Sequence, residues 1–285
     1  ELNYEYEGRV HGDRHHVRVT PITIPGRQRV IAASLSFDPK PDHATAFLDF
    51  FGNQVTSIAY KDYHHHLDVR LAARVSVDNA ELPADPSPSL DALQAEIARH
   101  RSLVSGAPHH FLSASPRIPL SPEITRYARA SVTRTGSVQA AALDFCETIH
   151  RDFTYDKKAT EVDTSTLEAF TLKRGVCQDF VHVMIAGLRG AGIPAAYVSG
   201  FLRTIPPEGK ARLEGADAMH AWVRVWCGEQ AGWVEFDPTN AMYAGRDHIV
   251  IGYGRDYADV TPIVGVLRGA GGQETSQAVD VLEVA

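Results

Sequence analysis

The stretch from Gly175 to Leu202 constrains this chain more than any other part of it. Phe180, Val181, Met184, Ile185 and Leu188 fall at i, i+1, i+4, i+5 and i+8, one broad apolar face of a helix that opens at Cys177 and runs to about Arg189. Gly190 and Gly192-Ile193-Pro194 stop that helix, and Ala195 to Leu202 reads as a strand. A helix this apolar needs cover from its neighbours, and the flanking segments offer it. Upstream, Ser121-Pro122-Glu123 is a capped helix start, and Gly136 to Phe153 carries Val138, Ala141, Leu143, Phe145 and Ile149. Ser165 to Arg174 reads as a further helix, ended by Gly175 as a C-terminal glycine. Downstream, His220 to Cys227 and Gly232 to Phe236 form an expected hairpin turned at Gly228-Glu229, and Ala278 to Val284 is a final strand candidate.

The first third has a different period. Leu67, Val69, Leu71, Ala73, Val75 and Val77 alternate with mostly polar partners, as a half-buried strand does. Ala33, Leu35 and Phe37 repeat the pattern, and Phe51-Gly52-Asn53-Gln54 carries turn chemistry. Pro83, Pro86 and Pro88 break the pattern, Ser89 to Arg101 reads as a helix, and prolines at 108, 116, 119 and 122 mark a boundary near residue 110. Strands, then helices, then strands predict an α+β architecture. We expect a β-rich N-terminal domain over residues 1–110 and a catalytic domain over 111–285, with the last strand, about 275–285, returning to the first domain.

Bulk properties narrow the function classes. A formal net charge of −7 argues against nucleic acid or an anionic membrane as the partner. No apolar run is long enough to span a bilayer, and Glu1 to Gly8 lacks the pattern of a secretory signal. Three widely spaced cysteines make no disulfide framework, so the expected compartment is reducing and cytoplasmic.

Cys177 is the candidate nucleophile. The first N–H groups of a helix are unpaired and carry partial positive charge, which stabilises a thiolate and can receive the oxygen of a tetrahedral intermediate. A single cysteine is more often a buried structural residue, so the case needs a base. If Gly228-Glu229 is the turn, His220 lies directly opposite Asp237, and the carboxylate can hold one ring nitrogen while the other faces Cys177. A longer loop that shifts the pairing by two residues leaves the two as diagonal neighbours on one face, whereas a one-residue slip separates them. Taken singly, His220 reads as a core histidine beside Trp222, and Asp237 as a turn residue before Pro238. Other clusters are weaker. His64-His65-His66 alternates faces and is expected to be a solvated strand entry, as is His15-His16. Cys146 and His150 share a helical face but lack further metal ligands, and Cys227 at the hairpin turn is incidental.

Several runs resemble the transglutaminase-like superfamily of papain-type enzymes. They are Gly175-Val176-Cys177-Gln178-Asp179-Phe180-Val181-His182, Met219-His220-Ala221-Trp222-Val223, Gly232 to Asn240 through Glu235-Phe236-Asp237-Pro238, and Gly252 to Pro262. The resemblance covers roughly residues 120–265, and Tyr4-Glu5-Tyr6 with Phe51-Gly52-Asn53 resembles the β domain that precedes this core in a bacterial subgroup. It implies a papain-like core of helices on an antiparallel sheet or barrel, with Cys177, His220 and Asp237 as nucleophile, base and orienting acid. It implies acyl transfer through a thioester on a peptide or protein substrate, with no cofactor and no metal. Hydrolysis ranks first, transfer to an amine second, and a non-catalytic peptide-binding module third. Gln178 and Tyr155 are candidate second oxyanion donors; Trp222, Arg255, Asp256 and Tyr257 are candidates for walling the acyl pocket. The acyl acceptor, the natural substrate and the oligomeric state stay open.

Overall fold

The computed structural model describes residues 1–78, 84–204, 217–269 and 271–284, so Pro83 lies outside the described residues. Alternating segments build the N-terminal part: β1 (Leu2–Val17), β2 (Gln28–Asp38), β3 (His43–Leu48), β4 (Gln54–Ala59) and β5 (His64–Val77). Helices follow: α1 (Leu90–Arg99), α2 (Pro122–Arg134) and α3 (Val138–Asp152), then the two-residue β6 (Thr154–Tyr155) and α4 (Thr166–Leu172). The short β7 (Arg174–Gly175) leads into α5 (Cys177–Gly190), and β8 (Ala195–Leu202) and β9 (Ala218–Trp226) come next. After the one-turn α6 (Gly228–Ala231) come β10 (Trp233–Asp237), β11 (Met242–Tyr243), β12 (His248–Gly254), α7 (Tyr257–Val260), β13 (Ile263–Arg268) and β14 (Gln273–Gln277).

Two sheets organise the molecule. The first has seven strands, with β1 as its long central member. The first half of β1 pairs with β5 and β14, and its second half with β4 and β13. The C-terminal chain therefore does return to the N-terminal sheet, but through residues 263–277; the run expected as a strand at 278–284 forms no strand, and Val279 pairs with Asp217 as an isolated bridge. The second sheet is antiparallel, in the order β11-β10-β9-β8-β12. Helices α3 and α5 pack on it and α2 packs on both of them, around Ile124, Phe145, Ile149, Met184, Ile185 and Leu188, all fully buried. Ser121, Ser137 and Ser165 each accept a backbone N–H at a helix start, which satisfies donors the helix leaves open.

Three local readings change. Helix α4 ends on Lys173 in the left-handed conformation, φ 53°, rather than on Gly175. The Lys173 ammonium sits over the rings of Tyr127, Phe153 and Phe170 at 3.9–4.5 Å, contacts that hold it there. Gly175 meets a different demand: a Cβ on it would lie 2.3 Å from the Asp179 carboxylate. Finally, His15 and His64 are buried, not solvated, because both turn toward the fully buried Asp13 while His16 and His65 face outward.

The two sheets meet along the free edge of β12. The Gln28 side chain donates to the Val250 carbonyl and accepts from its N–H, both at 2.8 Å. Asn53 does the same to Tyr253, both at 2.7 Å. Each primary amide replaces one residue of a missing strand, which satisfies and covers an edge that would otherwise recruit another chain. Arg27 adds an ion pair to Glu235 on β10.

Candidate active site

Cys177 stands at the first position of α5, after the extended Val176. Asp179 folds back so that its carboxylate accepts the Val176 N–H at 2.8 Å and the Thr160 hydroxyl at 2.7 Å. This closes the helix start over Gly175 and leaves the leading N–H groups of the helix turned toward the thiol end. Cys177 is partly exposed, whereas Cys146 and Cys227 are fully buried. Burial raises both of those thiols far above the ordinary range, with the charge of Asp237 adding to the effect on Cys146 and that of Asp85 on Cys227.

The hairpin that carries His220 and Asp237 has a longer turn than two residues. Gly228 and Gly232 adopt φ of +93° and +66°, which lets the chain form the one-turn α6 between them. Phe236 then lies opposite Val223, and the next step of that register sets Asp237 opposite Trp222, not His220. The direct opposition expected from the sequence is thus displaced by two residues. Because two is the strand period, His220 and Asp237 remain on one face as diagonal neighbours. His220 Nε2 is 2.8 Å from Asp237 Oδ2.

Asp237 is fully buried and heavily supplied with donors. Its Oδ1 accepts the backbone N–H groups of Thr239 at 2.9 Å and Asn240 at 3.3 Å, and its Oδ2 accepts Asn240 Nδ2 at 2.7 Å. His248 Nε2 reaches the same Oδ2 at 3.1 Å. Burial alone would raise this carboxyl; the hydrogen bonds from His220, His248 and Asn240 instead hold it well below the usual carboxylate range. An ionised Asp237 makes His220 Nε2 the donor, which leaves Nδ1 for the thiol. Burial disfavours charge on His220, but hydrogen bonds with Asp237 and Cys177, and their charges, outweigh it and raise the imidazole above its ordinary value.

Three tyrosines surround the thiol. Tyr155, Tyr197 and Tyr257 are each raised first by burial and then by the charge of Cys177, although for Tyr257 the charge of Arg117 pulls the other way. Tyr155 is set beside Gly175 by the β6–β7 pairing and stacks on Phe180. Tyr257 donates its backbone N–H to His182 Nε2 at 3.3 Å, an imidazole that burial lowers to about 3 and keeps neutral.

The remaining candidates point elsewhere. The Gln178 amide donates to the Val162 carbonyl at 3.0 Å. Trp222 is fully buried beside His220 with its indole N–H given to Glu235, so it has no donor for an oxyanion. Arg255 is paired with Asp259 at 2.8 Å, and Asp256 caps α7 while accepting the Arg117 N–H. Neither reaches the thiol through any of these contacts. Asn240, His248 and Tyr197 join the site without having been singled out. Asn240 follows Asp237-Pro238-Thr239 and was readable as part of that turn; His248 had no local signal.

Comparison with known proteins follows the same lines. Residues 125–238 match the transglutaminase-like superfamily core, and residues 1–76 match the bacterial transglutaminase-like N-terminal region. The chain belongs to the transglutaminase-like superfamily. An uncharacterised superfamily relative from Mycobacterium bovis is 37% identical over 254 residues, covering 85% of this chain and 77% of its own. A solved structure of a candidate cysteine protease from Cytophaga hutchinsonii shares the fold with a TM-score of 0.69, at 18% identity, over 99% of this chain and 91% of that one. A protein-glutamine gamma-glutamyltransferase from Pseudomonas aeruginosa is 38% identical over 93 residues, 32% of this chain and 14% of its own length. Among the described residues of this superfamily member, no helix is long and apolar enough to cross a membrane.

Proposed function

We propose that this superfamily member is a cysteine-dependent acyl-transfer enzyme that hydrolyses peptide or carboxamide bonds through a Cys177 thioester. The observation that carries this reading is the chain of contacts from Asp237 through His220 to the partly exposed Cys177 at a helix start. In the first half-reaction His220 Nδ1 takes the thiol proton and Sγ bonds to the substrate carbonyl carbon. The C=O electron pair moves onto oxygen, which faces the leading N–H groups of α5. Collapse of that intermediate breaks the C–N bond, and the departing nitrogen takes the proton from His220. Water then attacks the thioester, again losing a proton to His220, and the acid leaves as the thiol is restored.

The local similarity to a gamma-glutamyltransferase supports a second reading, in which an amine replaces water. The two separate in one experiment. A protein substrate such as casein, incubated with the enzyme with and without a primary amine, is mapped by mass spectrometry. Hydrolysis yields glutamate or new chain ends only, whereas transfer yields amine adducts. A simpler measurement tests the nucleophile itself. At pH 6.5, iodoacetamide is expected to label Cys177 roughly tenfold or more faster than Cys146 or Cys227. Equal labelling of the three would sink the assignment.

A further inference from the structure

Asp237 Oδ2 accepts from two imidazoles, and the mechanism above uses only one of them. The second comes from an unexpected place. His248 starts β12, which is separated from β9 by the whole of β8. It reaches the carboxylate because the β8 residue paired with His220 is Gly200. A Cβ at that position would lie 2.3 Å from the Trp222 ring, so the glycine opens this face of the sheet. The Trp222 ring then packs edge-on against His248 with centroids 5.1 Å apart.

The proton on His248 can be assigned. Its Nδ1 accepts the Gly245 N–H at 3.2 Å, so the neutral ring carries its hydrogen on Nε2 and donates to Asp237. The spacing of His220, Asp237 and His248 would also suit a cation, since their ligand atoms lie within 4.8 Å of one another. A cation would need the Nε2 lone pair, however, and forming it would place a proton on Nδ1 against the Gly245 N–H. The arrangement suits a hydrogen-bond donor rather than a ligand. Titratable groups reach Asp237 from three packed elements: His220 on β9, His248 on β12 and the buried Cys146 thiol on α3, with Cys177 acting through His220.

We infer that His248 is a positioning residue, which holds the Asp237 carboxylate aimed at His220 and so keeps His220 Nδ1 turned to Cys177. This rests on the reading of Cys177 and His220 given above. The strand that presents His248 is itself pinned by Gln28 and Asn53, so the N-terminal domain supports the carboxylate at second hand. Removing the donor frees the carboxylate to turn away from His220.

The test needs no substrate. The rate of Cys177 alkylation by iodoacetamide is measured at pH 7 in the full chain and in His248→Leu and His248→Gln. His248→Leu is expected to slow it roughly tenfold, the order of one charge-assisted hydrogen bond. His248→Gln, whose amide can donate to the carboxylate, is expected to return most of that loss. A Leu rate equal to the unaltered one overturns the role of His248 while leaving the Cys177–His220 reading intact. An unaltered Cys177 that labels no faster than Cys146 or Cys227 overturns both. A measurement on the unaltered chain guards against a variant that does not fold: imidazole nitrogen NMR is expected to find the ring hydrogen of neutral His248 on Nε2. A neutral ring that carries it on Nδ1 overturns the inference.

Discussion

Cys177→Ala is expected to reduce turnover of any amide or peptide substrate by roughly 10⁴-fold or more, because it removes the group that would form the acyl intermediate. Asp237→Asn should fall only somewhat short of this, by roughly 10³–10⁴-fold in kcat. The reason is the tautomer. An ionised Asp237 demands a proton on His220 Nε2, which leaves Nδ1 free to accept from the thiol. An asparagine amide turned toward Nε2 would demand a lone pair there and put the proton on the wrong nitrogen. Both variants should retain wild-type binding of a non-hydrolysable peptide, since each replacement is close in size to the side chain it replaces. A Cys177→Ala protein that still releases product at more than about a hundredth of the original rate would rule out the thioester route.

The largest effect on stability is expected at Arg27. Its guanidinium pairs with Glu235, a nearly buried carboxylate that also accepts from Trp222 Nε1 and, at 3.2 Å, from Tyr253. Burial would raise the Glu235 carboxyl, but the Arg27 and Arg224 charges and these hydrogen bonds hold it below its ordinary value. A carboxyl whose folded pKa is depressed stabilises the protein above its unfolded pKa, and that contribution is lost as pH falls through the folded value. Arg27→Leu removes the main counter-charge and leaves a buried anion, at a cost of about 3 kcal/mol near pH 7. The sign of the pH dependence should then invert. Without Arg27, burial raises the Glu235 carboxyl above its unfolded value, so the variant regains part of its deficit when acid protonates it. Denaturant unfolding at pH 7 and pH 5 checks this. A deficit that grows toward acid would contradict the account. Because Arg27 immediately precedes β2 of the first sheet and Glu235 lies on β10 of the second, the same experiment measures how firmly the two sheets are joined.

Much of the site was legible because it depends on local rules. A broad apolar face, a glycine before Cys177 and a proline after the helix are enough to place a cysteine at a helix start. Strand periodicity is enough to keep His220 and Asp237 on one face through any two-residue change of register. The length of the turn was not legible, since Gly228 and Gly232 support either a tight turn or the helical one that forms. Nor was the burial of His15 and His64, which depends on Asp13 lying beneath both. Composition made them look like solvent-facing residues.

The sequence alone therefore determines the α+β class, the helix that opens at Cys177, and which of the three cysteines stands at a helix start. Those follow from side-chain periodicity and backbone rules that act over a few residues. What only the tertiary structure decides is what stands behind Asp237. His248 reaches the carboxylate across β8 because Gly200 leaves space, and β12 stays in place because Gln28 and Asn53, more than 190 residues earlier, satisfy its edge. Contacts at that separation are set by how two sheets pack, and no spacing along the chain encodes them.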